Sequence, residues 1–302
     1  MIKVLANDGI EKSAQEALVA AGFEVDANHY DGAELIAKLK ETDAIVIRSA
    51  TKLTSEIFEG IAGGKLKLAI RAGVGIDNID VPAGEKAGVK VTNTPAASSD
   101  SVAELALAHM FAIARHVVIA NVTMRDGKWE KKNYGGVELN GKTLGLIGFG
   151  RIARSLAKKA QALGMTVIYT DLIGCAQGCD EYKFMSEEDV IKNADFISLH
   201  IPFDKAKGAT IGKAQFEMMK DGAYIINCAR GGVVDEAALV DALNSGKVAA
   251  AGIDVFEKEP TENTALVNHP KVSVTPHIGA STSEAQKRIG AEVVEIIKNF
   301  AF

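Results

Sequence analysis

Short apolar runs alternate with amphipathic stretches over the first 70 residues of the chain. Runs suited to buried strands lie at residues 2–5, 24–25, 44–47 and 68–70, and stretches with helical periodicity lie at residues 11–21, 33–39 and 55–61. Parallel strands joined by crossover helices produce this alternation. The pattern therefore predicts a parallel α/β unit at the beginning of the chain.

A second series with the same alternation begins at residue 143. It places strands at residues 144–147, 167–170, 196–199, 223–226 and 249–253, and helices at residues 151–163, 187–193 and 236–244. A chain of 302 residues also exceeds the usual size of one domain, roughly 100–200 residues. The predicted fold class is α/β, with two doubly wound parallel sheets of the Rossmann-like kind.

A turn-rich segment at residues 93–100 separates the two series. After it, Ser101 and Glu104 form a capping-box pattern that predicts the start of a long apolar helix. Ser281 and Glu284 repeat this pattern before the last helix, whose apolar stripe must pack against another element. The stripe consists of Ile289, Val293, Ile296, Ile297 and Phe300. If the last helix returns to the first unit, the second unit is an insertion.

Composition narrows the classes of function. Apolar residues make up 47% and charged residues 24%, which is typical of a folded globular protein. The net charge is −5 without a basic run, so neither nucleic acid nor a membrane surface is an expected partner. The three cysteines lack disulfide or zinc spacing, so we expect a reducing compartment and no metal. With no leader pattern and no long apolar run, the expected location is the cytoplasm.

The strongest local motif is Gly148-x-Gly150-x-x-Ala153, which follows an apolar strand and opens a helix. The glycines permit a tight turn and close approach of backbone N–H groups to a diphosphate, while a small third residue allows helix and strand to pack closely. Asp171 follows the next strand, where a carboxylate binds ribose hydroxyls and repels a 2′-phosphate. NAD is therefore the expected cofactor; the alternative is that the glycines merely form a turn. The contacts predicted from this motif are Gly148, Gly150, Arg151, Ile152 and Asp171.

Three ionisable residues each follow an apolar strand late in the chain: Arg230, Glu259 and His277. Ligands of open parallel sheets bind outside the carboxyl ends of the strands, so these residues could converge there. Imidazole suits proton transfer to and from a hydroxyl oxygen, a carboxylate would orient it, and arginine can grip a substrate carboxylate. Taken singly, each residue could also be an ordinary loop or surface residue.

The order of these motifs resembles that of the D-isomer-specific 2-hydroxyacid dehydrogenases over essentially the whole chain. The resemblance rests on the glycine fingerprint, which is Gly148-x-Gly150-x-x-Ala153, together with Asp171. It also rests on the segments 227–232 and 254–256, on Glu259-Pro260 and on Pro276-His277. Within that family the chain is most similar to the D-3-phosphoglycerate dehydrogenases, through segments 48–52, 71–78, 93–95 and 126–130. The chain ends at Phe302, so the regulatory C-terminal domains of longer members are not expected.

The resemblance implies an NAD-binding domain inserted into a substrate-binding domain. The implied boundaries are residues 98–281 for the former, and 1–97 with 282–302 for the latter. It also implies that Asp254 binds the nicotinamide carboxamide, that Ile201, Cys228 and Gly279 line the cofactor cleft, and that the protein is a homodimer. The activity implied is oxidation of 3-phosphoglycerate to 3-phosphohydroxypyruvate, the entry to serine biosynthesis, with His277 and Glu259 as the proton relay.

A phosphorylated substrate needs cations beyond Arg230. Arg48 and Arg71 follow strands of the first unit, and backbone N–H groups at Gly73, Val74 and Gly75 could bind a substrate carboxylate. The alternative is that these cations are solvated surface charges. Rival functions are reduction of an unphosphorylated 2-keto acid such as glyoxylate, hydroxypyruvate or 2-ketoglutarate, NAD(H) sensing by a corepressor-like binding protein and, last, formate oxidation.

Overall fold

The computed structural model describes every residue from Met1 to Phe302. The chain folds as two compact units, the first formed by Met1–Ser98 with Ala280–Phe302 and the second by Ser99–Gly279. The second unit is thus inserted between two segments of the first. In the structure, the second unit begins after residue 98 and ends at residue 279. The boundaries predicted from the sequence lie after residues 97 and 281.

All strands pair in parallel, in one sheet per unit. The strands of the first unit are β1 (Lys3–Ala6), β2 (Glu24–Asp26), β3 (Ala44–Ile47), β4 (Leu68–Arg71) and β5 (Lys90–Asn93). Those of the second unit are β6 (Thr143–Ile147), β7 (Thr166–Thr170), β8 (Lys183–Phe184), β9 (Phe196–Leu199), β10 (Ala223–Asn227), β11 (Val248–Ile253) and β12 (Val272–Val274).

Helices connect most of the strands. They are α1 (Lys12–Ala20), α2 (Gly32–Lys40), α3 (Ser55–Gly60), α4 (Val81–Lys86), α5 (Ser99–Ala114), α6 (Val117–Arg125), α7 (Arg151–Ala162), α8 (Glu187–Asn193), α9 (Lys213–Met218), α10 (Glu236–Ser245), α11 (Thr264–Val267) and α12 (Ser283–Asn299). No single helix is long and apolar enough to cross a membrane, although α5 and α6, bent by 63°, pass that test of length and composition when taken together.

The sheet of the first unit has the order β2-β1-β3-β4-β5 and is covered on both faces. One core cluster joins it to α1 and α12, with Leu18 and Val293 fully buried. The other joins it to α2, α3 and α4 through residues such as Leu39 and Phe58. A sheet buried on both faces requires strands that are apolar throughout, as β3 is.

The sheet of the second unit has the order β12-β11-β10-β9-β6-β7-β8. This is the strand order of dinucleotide-binding domains with one added edge strand. From β6, the chain adds β7 and β8 on one side and then β9 to β12 on the other, so the order of addition reverses between β6 and β9. Helices α5 and α7 cover one face, and α8, α9 and α10 cover the other. The reversal point lies directly beside the glycine turn that follows β6, which is where such sheets bind ligands.

Two predicted helix starts were wrong. Ser101 lies inside α5, which begins at Ser99, so Ser101 is not the N-cap of this helix. At the last helix the N-cap is Thr282, whose side chain accepts from the N–H of Ala285, rather than Ser281. Neighbouring hydroxyl residues offer several equivalent caps, and packing of the helix decides between them.

Candidate active site

The turn between β6 and α7 is shaped by two glycines. Gly148 has a φ of +87°, and a Cβ there would lie 2.5 Å from the carbonyl oxygen of His200, so only glycine fits. At Gly150 a Cβ would meet no atom within 4 Å. Gly150 is the N-cap of α7 and supplies no side-chain cap. Open space therefore adjoins N–H groups at the positive end of the helix dipole.

The residues that open α7 divide between the surface and the core. Arg151 is exposed, Ile152 is half-buried and Ala153 is fully buried. Ala153 belongs to the cluster that joins α7 to α5 and the sheet, together with Leu156. A small residue at this position lets the helix approach the sheet closely.

Asp171 lies at the carboxyl end of β7 and ties that strand to the glycine turn. Its Oδ2 accepts a hydrogen bond of 2.7 Å from the N–H of Phe149, and its Oδ1 accepts one of 2.9 Å from the N–H of Ile173. The carboxylate is half-buried and its orientation is fixed from both sides. It stands where doubly wound folds present an acid to the ribose.

The loop after β10 is held by Asn227, which is 2% exposed. Its amide donates to the carbonyl of Arg230 at 2.9 Å and accepts from the N–H of Ala229 at 3.1 Å. A Cβ at Gly231 would lie 1.7 Å from the carbonyl oxygen of Phe256, so glycine is required where this loop meets the next. These restraints set the position from which the Arg230 side chain extends.

Asp254 follows β11, is fully buried and organises the loop that carries His277. Its Oδ1 accepts from the Thr275 hydroxyl at 2.6 Å and from the N–H of Ile278 at 2.9 Å, and its Oδ2 accepts from the N–H of Gly279 at 2.9 Å. Its carbonyl oxygen accepts from the N–H of His277 at 2.8 Å. This network supports the left-handed backbone of His277, whose φ is +54°.

Glu259 and His277 form a hydrogen-bonded pair, with 2.7 Å between Oε2 and Nδ1. The other oxygen of Glu259 accepts from the N–H of Phe256 at 3.1 Å. Burial acts to raise the pKa of Glu259, but these hydrogen bonds and the positive charges of His277 and Arg230 outweigh burial and lower the pKa below its ordinary value. Glu259 is therefore a carboxylate at neutral pH, and the three predicted catalytic residues belong to one cluster.

The three residues expected to line the cofactor cleft lie in loops that follow the carboxyl ends of strands of the second sheet. Ile201 follows β9 and abuts the glycine turn, because a Cβ at Gly148 would lie 2.8 Å from its Cγ2. Cys228 follows β10 and is buried, and this burial, with the charge of Asp254, raises the pKa of its thiol well above the ordinary value. The N–H of Gly279 donates a hydrogen bond to the carboxylate of Asp254.

In the first unit, Arg71 ends β4 and covers the glycine loop that follows it. A Cβ at Gly73 would lie 1.5 Å from Nη1 of Arg71, so the guanidinium occupies the space that only a glycine leaves. Val74 and Gly75 continue this loop, and the side chain of Asn93 donates to the carbonyl of Val74. The loop backbone is thus held beside the carboxyl ends of β4 and β5.

Arg48 follows β3, and its backbone is fixed by two polar side chains. Its N–H donates to Asp8 at 2.6 Å, and its carbonyl accepts from Asn78 at 2.6 Å. Arg48 lines an open cavity of about 520 Å³, whose other walls are Glu11, Ser281, Thr282, Ser283, Gln286 and Lys287. Arg48 and Arg71 thus belong to one unit, and the predicted catalytic and cofactor-binding residues belong to the other.

Residues 107–279 match the family model described as the NAD-binding domain of D-isomer specific 2-hydroxyacid dehydrogenases. A hydroxypyruvate reductase of Thermotoga maritima is 46% identical over 98% of this chain and 97% of its own length. The chain belongs to the D-isomer specific 2-hydroxyacid dehydrogenases. It is an NAD-dependent D-2-hydroxyacid dehydrogenase, and residues 107–279 contain its NAD-binding domain.

Two further members of this dehydrogenase family are similar over nearly all of the chain. The D-3-phosphoglycerate dehydrogenase of Methanocaldococcus jannaschii is 43% identical over 99% of the chain, which spans 57% of that protein's length. The solved structure of a glyoxylate reductase from Paecilomyes thermophila superposes with a TM-score of 0.90 at 31% identity, covering 98% of this chain and 94% of that one. The two-sheet α/β fold is that of the family.

Sequence reasoning missed several residues that shape this dehydrogenase site. Asn227, Thr275 and His109 lie next to the loops that carry Arg230 and His277. Asp8 and Asn78 hold the Arg48 loop. Asn227 and Thr275 adjoin recognised motifs, so their polar character at strand ends was an available signal. His109 lies within an apolar helix and gave none.

Proposed function

We propose that this dehydrogenase catalyses the reversible, NAD-dependent oxidation of 3-phosphoglycerate to 3-phosphohydroxypyruvate, which begins serine biosynthesis. The observation that carries the proposal is the cavity of the first unit, where Arg48 and Lys287 stand with the hydroxyls of Ser281, Thr282 and Ser283. Cations and hydroxyl donors suit a phosphate group, whose charge a smaller hydroxy acid lacks. The relative from M. jannaschii named for this activity adds support.

The residues of the second unit fit the cofactor. The open space above Gly150 suits a diphosphate, which Gly148, Gly150 and the first turn of α7 would hold, while Asp171 would bind the adenosine ribose hydroxyls. Asp254 and Gly279 would hold the nicotinamide end, with Ile201 and Cys228 beside it. The cofactor held there would supply the hydride acceptor for the oxidation as NAD and the hydride donor for the reduction as NADH.

His277 is the proposed acid and base. A carboxylate only accepts hydrogen bonds, so neutral His277 carries its proton on Nδ1, facing Glu259, and Nε2 remains an acceptor. In the oxidation Nε2 takes the hydroxyl proton of the substrate, and in the reduction the imidazolium returns it to the carbonyl oxygen. Glu259 fixes the ring and stabilises its charged form.

Arginines and backbone N–H groups would hold the substrate. The positive charge of Arg230 helps to lower the pKa of Glu259. Arg230 would bind the substrate carboxylate and polarise the carbonyl bond. Arg71 and the N–H groups of the 73–75 loop are the proposed carboxylate-binding groups of the first unit. Arg48 and Lys287 would remain for the phosphate group.

Loss of the phosphate-binding cation tests the proposal. We expect Arg48→Ala to raise KM for 3-phosphohydroxypyruvate at least tenfold and to change KM for hydroxypyruvate by less than twofold, because a charge-assisted hydrogen bond contributes about 1.5–3 kcal/mol. Lys287→Ala should act in the same direction with a smaller effect, since lysine binds as a point charge. The measurement is steady-state NADH oxidation with both keto acids.

Lys90→Ala is the matched control, since Lys90 is an exposed lysine of the same unit outside the cavity. Equal loss with both keto acids after Arg48→Ala would contradict a phosphate-binding role. Reduction of no 2-keto acid by a wild-type chain that binds NADH would instead favour an NAD(H)-sensing binding protein.

The second candidate function is reduction of hydroxypyruvate. The observation that favours it is the T. maritima relative, which carries that name and which the chain matches over 97% of its length, compared with 57% of the M. jannaschii protein. The catalytic roles of Arg230, Glu259 and His277 are the same in both functions. The two candidates differ only in whether the Arg48 cavity receives a phosphate.

We also propose that the enzyme is a homodimer formed through α5, α6 and the loop that follows. This region exposes large apolar side chains that a monomer would leave in water, among them Phe111, Val117, Val118, Val122, Met124 and Trp129. Clustered exposed apolar residues are typical of subunit interfaces. Sedimentation equilibrium should give the mass of two chains, and the mass of a single chain at micromolar concentration would contradict the proposal.

A further inference from the structure

A buried histidine of α5 lies against the strands that lead to the catalytic loop. His109 is 2% exposed, and both of its ring nitrogens are hydrogen-bonded: Nδ1 to the Ser273 hydroxyl at 2.9 Å and Nε2 to the Thr275 hydroxyl at 3.0 Å. Gly252 provides room for the ring, because a Cβ there would lie 2.6 Å from the Cβ of His109. The strand is therefore shaped to accept this side chain.

The donor and the acceptor of each hydrogen bond around His109 can be assigned. The Asp254 carboxylate can only accept, so the Thr275 hydroxyl donates its proton to Oδ1 at 2.6 Å. Thr275 must then accept from His109, which places the ring proton on Nε2 and leaves Nδ1 to accept from Ser273. Burial lowers the pKa of His109 against the weaker opposing effect of the Asp254 charge, so the ring is neutral, as this pattern requires.

Asp254 passes this restraint to the active site. The oxygen that Thr275 holds also accepts the N–H of Ile278, and the second oxygen accepts the N–H of Gly279. The same residue's carbonyl receives the N–H of His277, whose backbone is in the left-handed region. Rotation of the Asp254 side chain would release three donors of the catalytic loop at once.

We propose that His109 is a positioning residue that, through Thr275 and Asp254, fixes the nicotinamide-binding carboxylate and the loop of the catalytic base. This inference rests on the proposed roles of Asp254 and His277. It explains why an imidazole is buried in a helix whose other buried residues, apart from Ser101, are apolar. Buried polar chains of this kind are stable only when every member has its partner.

Substitution of His109 by glutamine or by asparagine tests its two hydrogen bonds separately, because each amide imitates one nitrogen of the imidazole ring. The amide of glutamine reaches the position of Nε2 and can donate to Thr275, whereas asparagine reaches only the Nδ1 side, toward Ser273. Leucine keeps apolar packing and makes neither bond. We expect His109→Leu and His109→Asn to lower kcat roughly tenfold, because small misplacement of catalytic groups is costly, and to weaken NADH binding several-fold. His109→Gln should stay within about threefold of wild type in both.

Thr275→Val, with Thr275→Ser as its control, tests the same chain if a variant of His109 does not fold. Valine has the shape of threonine without the hydroxyl, so Thr275→Val should lose as much kcat as His109→Leu, and the double variant should lose little more. Serine keeps the hydroxyl and should behave as wild type. NADH affinity is measured by fluorescence titration and folding by thermal melting.

Wild-type kcat and NADH affinity in a folded His109→Leu variant would overturn the inference. So would equal losses in the Leu and Gln variants, because packing alone would then account for the effect. His277→Ala distinguishes this failure from failure of the proposed function. If His277→Ala remains active, the assignment of the base is wrong, whatever His109 does.

Discussion

At the residue scale, the proposed proton transfer depends most on the hydrogen bond between Glu259 and His277. The bond of 2.7 Å orients the ring, and its partner carboxylate is held by the N–H of Phe256. In the proposed mechanism, reduction requires a charged His277 ring that gives up its proton to the carbonyl oxygen of the substrate. A carboxylate neighbour supplies that charge stabilisation, which a neutral amide cannot.

Glu259→Gln should therefore reduce kcat for keto-acid reduction by roughly ten- to a hundredfold, a part of what general acid–base catalysis contributes. The amide still accepts from Nδ1, so NADH binding should stay within about twofold. Activity and NADH titrations measure the two effects. Equal activity of the variant and wild type would contradict the relay.

The lowered pKa of Glu259 also predicts a pH dependence of stability. A carboxyl with a depressed folded-state pKa stabilises the fold above its unfolded pKa, near 4.5, and this contribution is lost as pH falls through the folded value. Wild type should therefore melt higher than Glu259→Gln at pH 6, and the difference should shrink below pH 4.5. A difference that grows on acidification would show that the sign is wrong.

At the element scale, close packing of α1 on α12 closes one face of the first unit. A Cβ at Gly290 would lie only 2.7 Å from the Cβ of Ala14, so the helices meet where one of them has no side chain. Neither residue touches a proposed catalytic group. The contact explains how the C-terminal segment, which follows the inserted unit, completes the core of the first unit.

Gly290→Ala should destabilise the protein by about 1 kcal/mol, because overpacking costs roughly 1–3 kcal/mol and exceeds the helix-propensity gain of about 1 kcal/mol. In an Ala14→Gly background the same substitution should become stabilising, since the opposing methyl is gone. Gly135→Ala is the control, because a Cβ there meets nothing within 4 Å. Urea unfolding measures each variant, and additive effects would contradict the close contact.

The periodicity predicted most of the long elements and missed several of the short ones. Apolar strands such as β3 and β9 are evident in sequence because both sheet faces are covered. The edge strands β5, β8 and β12 were missed, since edge strands are short and partly polar. The cap at Thr282 could not be distinguished from Ser281 without knowing where the helix packs.

At the scale of the whole molecule, local motifs revealed only part of the site. The glycine fingerprint and Asp171 lie within one strand-helix-strand segment, so their spacing and local context were enough to predict them as cofactor contacts. The bond between His109 and Thr275 joins residues 166 positions apart, and no sequence pattern records such a pairing. The fold brings them together because α5 packs on the sheet whose last strand leads to the loop of His277.

The most direct test of the central claim compares the wild-type enzyme's kcat/KM for 3-phosphohydroxypyruvate with its values for hydroxypyruvate, glyoxylate, pyruvate and 2-ketoglutarate, using NADH. The phosphorylated keto acid should be preferred at least tenfold, because only this acid carries the phosphate that Arg48 and Lys287 would bind. An equal or higher value for hydroxypyruvate would contradict the phosphate assignment, and would identify the chain as a hydroxypyruvate reductase with the same catalytic residues.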